Sequence, residues 1–176
     1  MKTKQMFVGL GVVAALGAAI VPMASYAVDS DSESVTVTLK VGSTIAMSLD
    51  SNTVSEEVLS GGSSDSKTTV ATVTTNSATG YTLSATPTPD TGALTSGEGN
   101  TIAYVGTNYA SATEGWALSV GGTFKDLDTS EGSIALFSSN TTADSEATTI
   151  NYNFKTDAET PSGDYTATLE YVAAVK

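Results

Sequence analysis

The chain has no cysteine and no histidine, and its seven basic residues are all lysine. Each absence removes a class of chemistry. Without cysteine there is no thiolate nucleophile and no disulfide, so the fold rests on burial and sheet hydrogen bonding. Without histidine the commonest general base and the commonest zinc ligand are missing. Without arginine there is no planar, bidentate clamp for phosphate or carboxylate. Basic charge is scarce as well. Nineteen acidic residues give a formal net charge of −12, which makes nucleic acid and anionic lipid poor partners. Aromatic residues are few, with one tryptophan, Trp116.

What is present begins with a segment shaped for export. Lys2 and Lys4 precede an uncharged, mostly apolar run of 15 residues, Met6 to Ile20. Pro22 ends the run, and Ser25-Tyr26-Ala27 places small residues at the two positions a signal peptidase reads. A bilayer span needs ~20 apolar residues, so residues 1–27 are expected to be a cleaved signal peptide and not a retained anchor. No cysteine stands there for lipid attachment. The remaining chain carries five lysines against 19 acidic residues, a charge of 5 − 19 = −14. It is long enough for one domain with its own core. Residues 28–34 are expected to be a flexible acidic lead-in, and residues 35–176 a single domain. No sortase-type motif and no apolar tail follow the last strand, so the expectation is non-covalent retention, retention through assembly, or release.

The domain is patterned with period two. Val35, Val37, Leu39 and Val41 alternate with Thr36, Thr38 and Lys40, which predicts a first strand. Thr44 to Leu49 continues it beyond Gly42. Ser55 to Lys67 contains Gly61-Gly62-Ser63-Ser64 and is expected to be a loop. Thr68 to Thr75 and Tyr81 to Thr86 are expected to pair as a hairpin around Asn76 to Gly80. Pro87 to Asn100 is expected to be a long polar loop. Ile102 to Val105, Trp116 to Val120 and Ile134 to Phe137 are short strands, with an acidic turn at Asp126 to Gly132. Ile150, Tyr152 and Phe154 share one strand face, and Tyr165, Ala167, Leu169 and Tyr171 share another. With Pro161, Ser162 and Gly163 between them, these two arms predict a closing hairpin. No stretch after the leader shows helical spacing. The fold class expected is all-β, an antiparallel β-sandwich of eight to nine short strands, Ig-like, Greek-key or jelly-roll.

No motif carries catalysis. Ser64 and Lys67 have the spacing of a Ser–Lys pair but lie in a Gly/Ser loop and not on a helix face. Asp126, Asp128 and Glu131 fail the calcium-loop pattern, since Gly132 falls seventh and no Glu stands twelfth. Asp29, Asp31 and Glu33 form a second acidic cluster of the same bland kind. Lys40 and Lys155 alternate against apolar neighbours, so both are expected to face solvent and blunt sheet edges. Asn140-Thr141-Thr142 fits a glycosylation acceptor by pattern only. Gly115-Trp116-Ala117-Leu118-Ser119 echoes Gly80-Tyr81-Thr82-Leu83-Ser84. Each sets a Gly turn before a strand whose aromatic and Leu share a face. Trp116 is first a core residue. Its other reading is a half-exposed stacking platform for a sugar ring, extended by Tyr104 and Tyr109.

Gly115-Trp116-Ala117-Leu118-Ser119-Val120 resembles the first signature of the WxL domain of Gram-positive surface proteins. Gly163-Asp164-Tyr165-Thr166-Ala167-Thr168-Leu169 resembles the lead into that family's second signature, where Tyr171 and Ala173 stand in place of the Trp and Leu. The resemblance covers roughly Thr68 to Lys176. It implies an all-β sandwich held non-covalently at the cell wall through peptidoglycan. Thr75-Asn76-Ser77-Ala78-Thr79-Gly80-Tyr81-Thr82-Leu83 is also similar to small exported sandwich proteins of several bacterial groups. The expected function is an exported, extracellular cell-surface structural or adhesive protein, with no enzyme activity, cofactor or metal. Two rivals remain: a fibre subunit that donates Val35–Val41 to the sheet of another copy of itself, and a module binding peptidoglycan or other envelope glycans through Trp116, Tyr104 and Tyr109.

Overall fold

The computed structural model describes residues 33–64 and 67–176. The expected signal peptide, its cleavage site, and Asp29 and Asp31 lie outside the described residues. The chain divides into two units, Met1–Leu39 and Lys40–Lys176. In the first, the described residues Glu33–Leu39 form no strand, and Val35, Val37 and Leu39 are 86%, 87% and 85% exposed. The first strand expected at Val35–Val41 is therefore absent. Its alternation is correct for a strand, but no neighbouring strand supplies hydrogen bonds, and an isolated strand is not stable in water.

The second unit is nearly all β. Its strands are β1 Ile45–Leu49, β2 Lys67–Thr75, β3 Tyr81–Thr88, β4 Leu94–Ser96, β5 Thr101–Ile102, β6 Gly115–Val120, β7 Thr123–Phe124, β8 Leu127–Asp128, β9 Ser133–Ser138, β10 Ala143–Lys155, β11 Tyr165–Thr166 and β12 Thr168–Val175. Among the described residues one 3-10 turn is present, Gly106–Ala110, and it precedes β6. One sheet runs β1-β2-β10-β6-β7, a second runs β12-β3-β9-β8, and a small third runs β11-β4-β5. Every strand pair is antiparallel.

Neither expected hairpin forms. β2 and β3 are consecutive but belong to different sheets, as do β10 and β12. β2 pairs with β1 and β10, while β3 pairs with β12 and β9. Asn76–Gly80 carries the chain from the first sheet to the second, and Thr156–Asp164 carries it from the first sheet to β11 of the third, from which it enters β12. The physical reason is burial on one face only. Thr69, Ala71, Val73 and Thr75 of β2 are buried at every second position, and so are Tyr81, Leu83 and Ala85 of β3. Crossing over lets these two apolar faces join one core, which a flat hairpin would leave side by side. Ile134 and Leu136 of β9 and Ile150 and Tyr152 of β10 complete that core.

The expected loop Pro87–Asn100 is partly ordered as the end of β3 and as β4, and the acidic turn contains β8. β10 is longer than its apolar triplet Ile150, Tyr152, Phe154 suggested. It begins at Ala143 and passes a bulge between Ala143 and Glu146, where Ser145 adopts φ 57°. A bulge inserts an extra residue and breaks the period-two pattern, so alternation alone misses this half of the strand. Gly80 turns the chain into β3 at φ +80°, and a Cβ there would lie 2.2 Å from the Ser139 carbonyl oxygen.

Candidate functional site

β6 runs between β10 and β7, and its residues Gly115 to Ser119 are all buried. Gly115 adopts φ +146°, and a Cβ on it would stand 2.6 Å from a Val105 methyl, so glycine alone lets the 103–105 segment close over β6. That approach is sealed by Val105 N–H donating to the Trp116 carbonyl (2.9 Å) and Trp116 N–H donating to Ala103 (3.0 Å).

Trp116 itself is 2% exposed. Its indole Nε1 donates to the Gly92 carbonyl at 2.8 Å. Tyr104 meets the ring edge-on, with centroids 4.9 Å apart, and Phe154 lies nearly parallel at 6.2 Å. A sugar-stacking platform needs an open ring face, and this ring has neighbours on its face and its edge. The proposed platform is corrected accordingly: Trp116 is a core anchor.

Tyr104 does reach Trp116, but its hydroxyl is also engaged. It donates to Lys125 O at 2.6 Å and accepts from Leu118 N–H at 3.3 Å. Burial pushes its pKa up to about 12. Tyr109 belongs to a different group. It packs on Phe124 at 5.0 Å, donates to Phe154 O at 2.9 Å, and lies under the Lys155 ammonium, 5.0 Å from its ring centroid. Burial raises its pKa as well. The Lys155 Nζ donates to Tyr109 O (3.1 Å) and Ala112 O (2.8 Å). Expected to face open solvent, Lys155 instead pins the 3-10 turn against β10.

The remaining candidates are accounted for by local structure. Lys67 pairs with Glu56 at 2.9 Å and makes no hydrogen bond to Ser64, whose hydroxyl is buried without a partner. Asp126 accepts from Thr107 N–H (2.8 Å) and its hydroxyl (2.9 Å). Asp128 accepts from the Ser130 hydroxyl (2.6 Å) and N–H (2.8 Å), which holds its carboxyl below the usual range. Asp128 closes a local turn, and Asp126 ties the 3-10 turn to the segment before β8.

Sequence reasoning missed two features. The Tyr152 and Tyr171 hydroxyls hydrogen-bond to each other, tying the first sheet to the second. Burial raises the Tyr171 pKa, and the neighbouring Tyr152 raises it further. Period two placed both side chains inward, so the signal was present, but the pairing required knowing that their strands face each other. The second feature is a groove of about 1100 Å³ whose lining includes Leu49, Leu94, Phe154, Leu169 and Tyr171, with the covered Trp116 behind its wall. It lies toward the end of the unit where β1 finishes and β12 starts. The Thr69 hydroxyl also lines it, 1% exposed and without a hydrogen-bond partner.

Comparison of the chain with protein-family models, with curated proteins and with solved structures finds no match to any of them.

Proposed function

We propose that this protein is an exported structural part of the bacterial cell surface. Its two main sheets form a β-sandwich of WxL-like type, cut free of its signal peptide after Ala27 and held in the envelope without a covalent link. One observation carries the reading: Lys155 and the three aromatic side chains that could have formed a binding platform are spent on holding strands and turns together. Trp116 bonds Gly92, Tyr104 bonds Lys125, Tyr109 bonds Phe154, Lys155 bonds Tyr109 and Ala112, and Lys176 bonds Asn140. The lysine-poor acidic sequence and the apolar leader agree with export and solubility outside the cell.

The test is fractionation of a bacterium expressing the full chain. The protein should be recovered from the envelope or medium, beginning at Val28, and denaturant alone should release the envelope-bound part. Recovery of the uncleaved chain from the cytosol would overturn the reading.

A further inference from the structure

One flank of the second unit is left half-covered. β1 and β12 are the outer strands of their sheets on the same side, and they pack against each other without pairing. Their core-facing residues are apolar: Ile45, Met47 and Leu49 on β1, and Leu169, Tyr171 and Ala173 on β12. None of the six is fully buried, whereas the matching positions of β2 and β3 are. The outer edge of β12 offers eight residues of unpaired backbone, against five for β1. The groove of about 1100 Å³ opens where this flank ends, beside Leu49 and Leu169.

The same chain carries a segment with the apolar alternation of a strand and no sheet to join. Val35, Val37, Leu39 and Val41 alternate with polar residues, and all four are at least 72% exposed. Seven residues of strand repeat are a fair match for the free edge of β12.

The geometry points to strand donation between copies: residues 35–41 of one chain add to β12 of a second copy, antiparallel, with Val37 opposite Ala173 and Leu39 opposite Tyr171. This rests on reading the protein as a structural part, and it names the partner as the protein itself. Three features favour a second copy over the chain's own flank. Asn76 accepts from Thr44 N–H (2.7 Å) and donates to Gly42 O (2.9 Å), which strings residues 42–44 out in line with β1. Gly42 does not adopt the left-handed φ of a tight reversal. Residue 42 also sits at the Asn76 end of the unit, where Lys176 N–H bonds Gly80 O, while the groove lies at the opposite end. In this register Val41 falls opposite Leu169, so the Asn76 end of one copy meets the groove end of the next; such a head-to-tail contact does not close, and its repetition builds a filament.

The direction follows from the same layout. β1 runs away from the Asn76 end, because Ile45 pairs with Thr75, and β12 runs toward it, because Val175 pairs with Tyr81. A segment that arrives from a copy stacked below, in the same orientation, runs opposite to β12. It completes an antiparallel ladder like every other one in the fold.

The absence of cysteine makes disulfide trapping clean. Chains spanning residues 28–176 and carrying either Val37→Cys or Ala173→Cys are unfolded together, refolded and oxidised. A disulfide joining the two different chains is expected, with Val175→Cys covering a two-residue register slip. Val37→Cys mixed with Thr123→Cys, on the far edge strand β7, should give none. Sedimentation should show the parent chain assembling with rising concentration. The double substitution Val37→Asp with Leu39→Asp should stay monomeric with an unchanged circular-dichroism spectrum, since both side chains are exposed. Three results would overturn the inference: a parent chain that stays monomeric at its highest soluble concentration, assembly of the Asp variant, or a disulfide only within one chain carrying both cysteines. Each of them leaves the fractionation result standing, so the two readings fail separately.

Discussion

Replacing Trp116 separates a core anchor from a binding face by magnitude. Substitution to phenylalanine removes the Nε1 donor and leaves the Gly92 carbonyl, now bonded at 2.8 Å, without its partner. Loss of a buried hydrogen bond of this kind costs about 1 kcal/mol. The smaller ring also gives up contact with Tyr104 and Phe154, about 1 kcal/mol more in lost apolar burial. Trp116→Phe should therefore destabilise by about 2 kcal/mol, and Trp116→Ala, which opens a full cavity, by about 3–5 kcal/mol. The assay is urea unfolding followed by far-ultraviolet circular dichroism, because the variants lose the tryptophan signal. The midpoint should fall with the slope unchanged. On heating, the phenylalanine variant should melt roughly 4–8 °C below the parent. In the parent, tryptophan emission should be that of a buried indole and should not move on adding peptidoglycan fragments. A phenylalanine variant as stable as the parent would refute the reasoning, and a glycan-dependent shift in emission would show that the groove Trp116 lines takes a glycan.

Two further outcomes follow from the geometry of single residues. Gly80→Ala puts a Cβ 2.2 Å from the Ser139 carbonyl oxygen at φ +80°, so it should cost at least about 3 kcal/mol. Gly121→Ala, at φ +57° with nothing within 4 Å, should cost only about 1–2 kcal/mol, and equal effects in paired urea melts would refute the clash. Alkaline pH should unfold the protein. Tyr104 and Tyr81 are raised from 10.0 to about 12, Tyr104 by burial and Tyr81 by burial and then by its hydrogen bond to Glu146. Tyrosine is neutral when protonated, so a raised folded pKa favours the protonated folded state. Its stabilisation is complete below pH 10 and is lost as pH rises from about 10 to about 12. Tyrosinate absorbance and circular dichroism should change together in that window. Ionisation of all tyrosines near pH 10 with the sheet spectrum intact would contradict it.

Much of the strand content was legible in the residues. Alternation located β1, β2, β3, β6, β9 and the second half of β10, because a strand with one buried face writes apolar residues at every second position. It erred where that rule is broken or incomplete. The bulge at Ser145 hid the first half of β10, and two- or three-residue strands such as β4 and β7 are too short to show a period. At Val35–Val41 the alternation was genuine, yet a strand exists only when another strand takes its backbone hydrogen bonds. The site was less legible. Trp116 and Leu118 sharing a face pointed to the core, but only the positions of Gly92, Tyr104 and Phe154 decide whether the ring is covered.

By itself the amino-acid sequence determined the kind of structure available. Without cysteine, histidine or arginine, and with Val, Ile, Thr and Tyr set at alternate positions, it permits sheets held by burial and backbone hydrogen bonds. Those are local properties, fixed by side-chain type and the two-residue repeat. Which strands pair was settled only in three dimensions. Asn76–Gly80 and Thr156–Asp164 look like hairpin turns by composition, yet each carries the chain into a different sheet. The reason is that partner choice depends on where the apolar faces of distant strands meet, as Tyr152 and Tyr171 do across the core, and no local spacing records that encounter.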